Sequence, residues 1–137
     1  IQDRVRQKEW LAAHGFPVGP FRRAEGAAEG AAEVRDAVVA FGPSIVKAAH
    51  GGYDGRGQAR VADAAEAEGA WAAIGARRAV VEQRLDLALE FSILVARRPD
   101  GTMAVYPPSL NHHVGGVLTW SVTPAGIDPA VARTGAE

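Results

Sequence analysis

From Lys47 to Gln58 the chain runs Lys-Ala-Ala-His-Gly-Gly-Tyr-Asp-Gly-Arg-Gly-Gln, with a glycine at 51, 52, 55 and 57. Clustered glycines let backbone N–H groups approach anionic oxygens without obstruction by Cβ, and phosphate is their natural guest. Lys47 stands on the run that feeds this loop, where its ammonium could neutralise phosphate charge. The same composition suits a plain hairpin tip, with Lys47 an edge-strand lysine turned to solvent. No Gly-Lys-Ser/Thr follows, which excludes a Walker A loop. The third glycine of a dinucleotide fingerprint is absent, and a strand rather than a helix follows. What remains is a strand–loop–strand flap.

Two carboxylates, Glu82 and Glu90, flank the segment 83–89. A segment leaving a strand offers backbone groups that can read a base edge, and a carboxylate beyond it can accept from ribose hydroxyls; a solvated glutamate at a strand end is the plainer alternative. Asn111, His112 and His113 follow the rigid Tyr106-Pro107-Pro108, a setting in which a loop carries polar side chains into a site. As metal ligands the histidines are poorly arranged: neighbours on extended chain point to opposite faces, and no carboxylate has ligand spacing around them. Neither Ser44 nor Ser92 has the glycine frame of a nucleophile elbow. Lys8 falls on or beside the buried side of its helix, either as a snorkelling stem or as a site residue.

The elements that must position these groups follow from period and punctuation. Residues 2–13 form a helix, with Asp3 near its start and Gly15 just past its end. Its apolar stripe is Ile1, Val5, Leu11 and Ala12. Residues 16–21, with two prolines, form an extended connection. The near-repeat of Ala-Glu-Gly-Ala that follows is helix-compatible, and its latter half, with Val34, Val38 and Val39, is a helix ending at Gly42. Residues 44–49 are β-type, 58–61 pair back on them, and 62–75 form an amphipathic helix with Trp71 on one face. Residues 79–82 are a buried-type strand and 89–97 a longer one. The turn Pro99-Asp100-Gly101-Thr102 returns 103–106 antiparallel. A last strand spans 116–122, with Trp120 expected in the core. Segregated helices and meandering strands give an α+β fold, not a doubly wound sheet.

Composition excludes several classes. The 137 residues carry 15 Lys and Arg against 16 Asp and Glu, a net charge of −1. That balance provides no basic footprint for nucleic acid or an anionic membrane. No apolar run approaches the ~18 residues that cross a bilayer, and the polar N-terminus does not read as a signal peptide, so a cytoplasmic location is expected. There is no cysteine, hence no disulfide, thiolate metal site or cysteine nucleophile. The first residue is Ile, and the chain reads as a piece of a longer protein.

In order along the chain, the segments QDRVRQKEWL, PSIVK, GGYDGRGQ, VVEQRLDLALEFSILVARRPDG, YPPSLNHHVGGVL and SVTPA resemble the N5-carboxyaminoimidazole ribonucleotide synthases, ATP-grasp enzymes of purine biosynthesis. The resemblance implies a central ATP-grasp subdomain over 1–85 and the beginning of the C-terminal subdomain over 86–137. It implies an ATP-dependent ligase that carboxylates 5-aminoimidazole ribonucleotide with bicarbonate. ATP contacts would come from Arg4 and Lys47, from the flap Gly52, Tyr53, Asp54, Gly55, Arg56, Gly57 and Gln58, from the adenine-reading hinge Glu82, Gln83, Arg84 and Leu85, from Glu90 on the ribose, and from His113. Tyr53, Asp54 and Asn111 would face the ribonucleotide. Magnesium is implied as well, with its carboxylate ligands outside this chain and none within it, so the polypeptide alone is expected to be inactive and the whole protein a homodimer. Another ATP-grasp carboxylase and a non-catalytic nucleotide-binding module are the alternatives. After Lys47 the family often has further basic residues where this chain has Ala48, Ala49 and His50, which lowers the charge at the flap base.

Overall fold

The computed structural model describes residues 2–27, 29–51, 57–75 and 77–136. The chain folds into two compact units, Ile1–Asp86 and Leu87–Glu137.

The first unit opens with α1 (Arg4–Ala13), whose N-cap Asp3 accepts a hydrogen bond from the Arg6 N–H at 3.0 Å. A carboxylate at this position satisfies an orphan amide and complements the helix dipole. There follow β1 (Phe21–Glu25), α2 (Glu29–Phe41), β2 (Ser44–Ala48), β3 (Gln58–Val61), a 3-10 turn (Ala64–Glu66) running into α3 (Ala67–Ile74), and β4 (Arg78–Gln83). The four strands form one antiparallel sheet in the order β1-β4-β2-β3, so α2 and α3 each close a crossover that skips one strand.

Strand side chains alternate between faces, and the register divides this sheet into two chemically different surfaces. Ala24, Val46, Val61, Ala79 and Val81 join Val34, Ala37 and Val38 of α2 and Ala70, Trp71 and Ile74 of α3 in the main core. On the opposite face Val80 packs with Val5 of α1, Ala49 and the half-buried Phe21. Lys47 pairs with Val80 and Ile45 with Glu82, which puts Lys47 and Glu82 on this second face, beside α1.

Much of the acidic, alanine-rich stretch proves to be structural. Gly30 and Ala31 are buried in α2, and a Cβ on Gly30 would fall inside the Trp71 indole. Glu33 reaches back to accept from the Glu25 N–H at 2.6 Å. The strand β1 lies where no element was expected. With three charges in five residues and only Ala24 buried, it is an edge strand whose pairing with β4 is non-local.

The second unit contains β5 (Glu90–Ser92), β6 (Val95–Arg97), β7 (Met103–Val105), β8 (Ser109–Val114), β9 (Val117–Val122) and α4 (Pro129–Ala136). Strands β5-β8-β9 form one antiparallel sheet, and β6 and β7 form a hairpin of their own. The single strand expected over 89–97 is thus two, which pair with different partners. Residues 109–114, expected as a loop, are the central strand of the three, and α4 was not anticipated. Trp120, expected in the core, is 47% exposed and stacks on His112 at a centroid distance of 4.7 Å. Alternation along β9 supplied apolar residue types but not a cover for them: Val117, Leu118 and Val122 are also exposed.

Candidate functional site

The first unit gathers three charged side chains on the second face of its sheet. The Glu82 carboxylate, with its side chain 15% exposed, receives Lys8 Nζ on Oε1 at 2.9 Å and Lys47 Nζ on Oε2 at 2.5 Å. Lys8 comes from α1, Lys47 from β2 and Glu82 from β4. Burial pushes the Glu82 carboxyl up, but the hydrogen bonds and charges of Lys47 and Lys8 outweigh it and hold the carboxyl below its ordinary value of 4.5. Lys8 is therefore more than a snorkelling stem.

Around this trio the other sequence-predicted residues fall into place unevenly. Gln58 stands opposite Lys47 in the β2–β3 ladder. The glycine loop is closed at its base by the Ala48 N–H donating to the Gly57 carbonyl at 2.8 Å, and Gly51 and Gly57 take φ of 75° and 68°, which a side chain would resist. Gly52, Tyr53, Asp54, Gly55 and Arg56 lie outside the described residues. Arg4 begins α1 and donates from Nη1 to the Ala48 carbonyl at 2.9 Å, while its N–H donates to the Ala49 carbonyl at 3.0 Å; both bonds pin the helix to the end of the lysine strand.

The hinge expected to read a base is narrower than its sequence suggested. The Gln83 N–H donates to the Pro20 carbonyl at 3.0 Å and the Arg84 N–H to the Pro43 carbonyl at 2.8 Å, while the Gln83 side chain donates to the Phe41 carbonyl at 3.0 Å. Leu85, 48% exposed, keeps an N–H without a partner among the described residues.

At the loop base a second charged group ties α1 to the sheet. Arg78 donates from Nη1 to Asp3 at 2.5 Å and from Nε to Glu25 at 2.6 Å, and His50 Nε2 lies 3.6 Å from Asp3. The Arg6 amide chiefly, with the charges of Arg78 and His50, holds Asp3 below the usual carboxylate range.

In the second unit, Glu90 Oε2 lies 2.9 Å from His113 Nδ1. Asn111 pairs with Glu90 in the β5–β8 register, donates from Nδ2 to Ser92 Oγ at 3.2 Å and accepts from Ser121 Oγ at 2.8 Å. A bulge between His112 and His113 sends the two rings to different neighbours, His112 onto Trp120 and His113 onto Glu90. Glu90, Asn111, His112, His113 and Trp120 line a shallow cleft together with Leu87 and Leu89. Trp120 was expected in the core rather than at a site; the Gly115-Gly116 turn, with φ of 61° and 85°, is a local hairpin signal that pairs β8 with β9 and sets Trp120 against His112.

Sequence and fold comparisons decide the family. The profile of the ATP-grasp domain matches residues 9–137. The chain belongs to the ATP-grasp family. An N5-carboxyaminoimidazole ribonucleotide synthase of Brucella melitensis is 34% identical over 145 residues, covering 99% of this ATP-grasp chain and 38% of the relative. The solved structure of N5-carboxyaminoimidazole synthetase from Staphylococcus aureus complexed with ADP matches with a TM-score of 0.84 at 28% identity, over 97% of this chain and 35% of that one. The Thermus thermophilus N5-carboxyaminoimidazole ribonucleotide synthetase gives 0.81 at 31% identity, over 98% and 35%. This ATP-grasp chain thus spans little more than a third of the length of these relatives. Among its described residues no helix is long and apolar enough to cross a membrane.

Proposed function

We propose that this chain is the nucleotide-binding portion of an ATP-dependent ligase that carboxylates 5-aminoimidazole ribonucleotide to N5-carboxyaminoimidazole ribonucleotide in purine biosynthesis. The observation that carries the reading is Lys47, held by Glu82 at the mouth of a glycine loop, in a chain whose relatives are synthases of this kind, one of them solved with ADP. In the reaction, a bicarbonate oxygen attacks the γ-phosphorus of ATP and expels ADP. The exocyclic amine of the ribonucleotide then attacks the carbon of the resulting carboxyphosphate, inorganic phosphate leaves and the amine loses a proton.

The chemistry asks little covalent work of the protein, and catalysis rests on positioning and charge stabilisation. In this reading Lys47 and Arg4 take phosphate oxygens, and the loop from Gly52 to Gln58 covers them. Leu85 presents its N–H to the adenine edge, with carbonyls of the hinge from Glu82 to Arg84 beside it. In the second unit Glu90 accepts from the ribose hydroxyls, with His113 fixing its orientation, and Asn111 together with Tyr53 and Asp54 serves the ribonucleotide. Family chemistry also calls for magnesium. Among the described residues no three His, Asp or Glu side chains are placed to hold a metal, and Glu82 is already taken by two ammonium groups.

The test is phosphate release by the longest reading frame containing this chain, with ATP, magnesium and bicarbonate, with and without 5-aminoimidazole ribonucleotide. Release that depends on the ribonucleotide is expected. ATP turnover indifferent to it would transfer the acceptor to another carboxylase reaction, and nucleotide binding without turnover would favour a non-catalytic module.

A further inference from the structure

We propose that Lys8 is a positioning residue for nucleotide phosphate: it holds the Glu82 carboxylate so that Lys47 is released to the ligand. The inference rests on the nucleotide reading above and adds to it a residue that need not touch the nucleotide. Its basis is the arrangement of one carboxylate between two ammonium groups, Lys8 on Oε1 at 2.9 Å and Lys47 on Oε2 at 2.5 Å.

A lysine ion-paired to a mostly buried carboxylate is a poor phosphate ligand. To serve phosphate it must abandon its partner and leave an uncompensated charge behind, and that cost is large where the carboxylate is shielded from water. Glu82 is so shielded, whereas Lys8 and Lys47 keep 25% and 30% of their side-chain surface. With Lys8 in place, Glu82 remains paired while the Lys47 ammonium turns toward an anion. The charge count points the same way. Two ammonium groups against one carboxylate leave the trio one net positive charge; without Lys8 it is neutral and offers phosphate no attraction. Lys8 projects from α1, on the side of the sheet away from the main core, so it reaches Glu82 without passing through the apolar interior.

The experiment titrates ADP and adenosine, at low ionic strength, into the 137-residue chain and its variants by calorimetry. Lys8→Gln retains a donor for Glu82 and removes the charge; Lys8→Met removes both and is the second variant should one of them fold poorly. Both are expected to weaken ADP about tenfold and to leave adenosine within twofold, while Lys8→Arg keeps wild-type affinity. Lys8→Gln combined with Glu82→Gln restores the net charge and is expected to recover most of the ADP affinity. Equal losses for ADP and adenosine, or no recovery in the double variant, would make Lys8 a structural residue and overturn the proposal. Wild-type binding of ADP no tighter than adenosine would instead remove the phosphate role of Lys47 itself, and the proposal would fall with it.

Discussion

In the unit Ile1–Asp86 the Glu82 side chain is 15% exposed and gripped by two lysines, whereas in Leu87–Glu137 Glu90 is 48% exposed and meets His113. The difference follows from what lies behind each strand. Strand β4 is central in a four-stranded sheet, with α2 and α3 packed on one face and α1 beside the other, so its end is shielded from water. Strand β5 is three residues at the edge of a three-stranded sheet, with only Phe91 partly covered. A charge backed by a core needs partners and acts on them strongly; a charge at a thin edge is screened and acts weakly.

The largest effect that would break this contrast concerns the core. Gly30→Ala drives a methyl group into the Trp71 indole and is expected to lower the stability of the first unit by about 3 kcal/mol, read from urea denaturation. Gly69→Ala in α3, with open space around its Cβ, is the matched control and should add about 0.5–1 kcal/mol through the unfolded state. Loss of similar size in both would mean that Gly30 does not mark a tight contact.

Next in size is the contrast between the carboxylates. Glu82→Ala leaves two lysines without their shared partner and should cost about 1–2 kcal/mol, less than a fully buried pair because both lysines keep contact with water; Glu90→Ala should cost under about 0.5 kcal/mol. The pH dependence carries a sign. Glu82 titrates lower when folded than when unfolded, so its contribution is present above the unfolded value near 4.5 and is lost as the pH falls through the lower folded value. Thermal melts between pH 6 and pH 3 should therefore fall less steeply for Glu82→Gln than for the wild type. Parallel curves would contradict the held carboxylate.

The smallest expected effect is at Trp120. Trp120→Phe retains a ring against His112 on an exposed strand and should shift stability by less than about 0.5 kcal/mol. A cost above about 1 kcal/mol would show that this face is more closely packed than its exposure indicates.

What the sequence revealed and concealed divides along local and non-local lines. The helix from Asp3, the stop at Gly42, the lysine strand pairing back through the glycine loop and the 95–105 hairpin each carry their signal within a few residues. Strand β1 does not: its Phe-Arg-Arg-Ala-Glu has the charge of a loop, and only pairing with β4, more than fifty residues on, makes it a strand. The Pro-Pro before β8 suggested a rigid loop, although the strand from Ser109 pairs with β5 through its first three residues and with β9 from Leu110 to Val114. At the site, Lys47, Glu82, Glu90, Asn111 and His113 could be singled out by type and spacing. That Lys8 would meet Glu82 could not, because 74 positions separate them and nothing in either neighbourhood names the other.

Lys47, poised by Glu82 on the sheet face beside the glycine loop, is proposed to bind nucleotide phosphate. The most direct test is the affinity of the wild-type chain and of Lys47→Ala for ADP, with Arg97→Ala on the exposed hairpin as a charge-matched control. Saturable binding in the wild type, a loss of at least tenfold in Lys47→Ala and no change in the control are expected. Equal affinity in wild type and Lys47→Ala would contradict the proposed role.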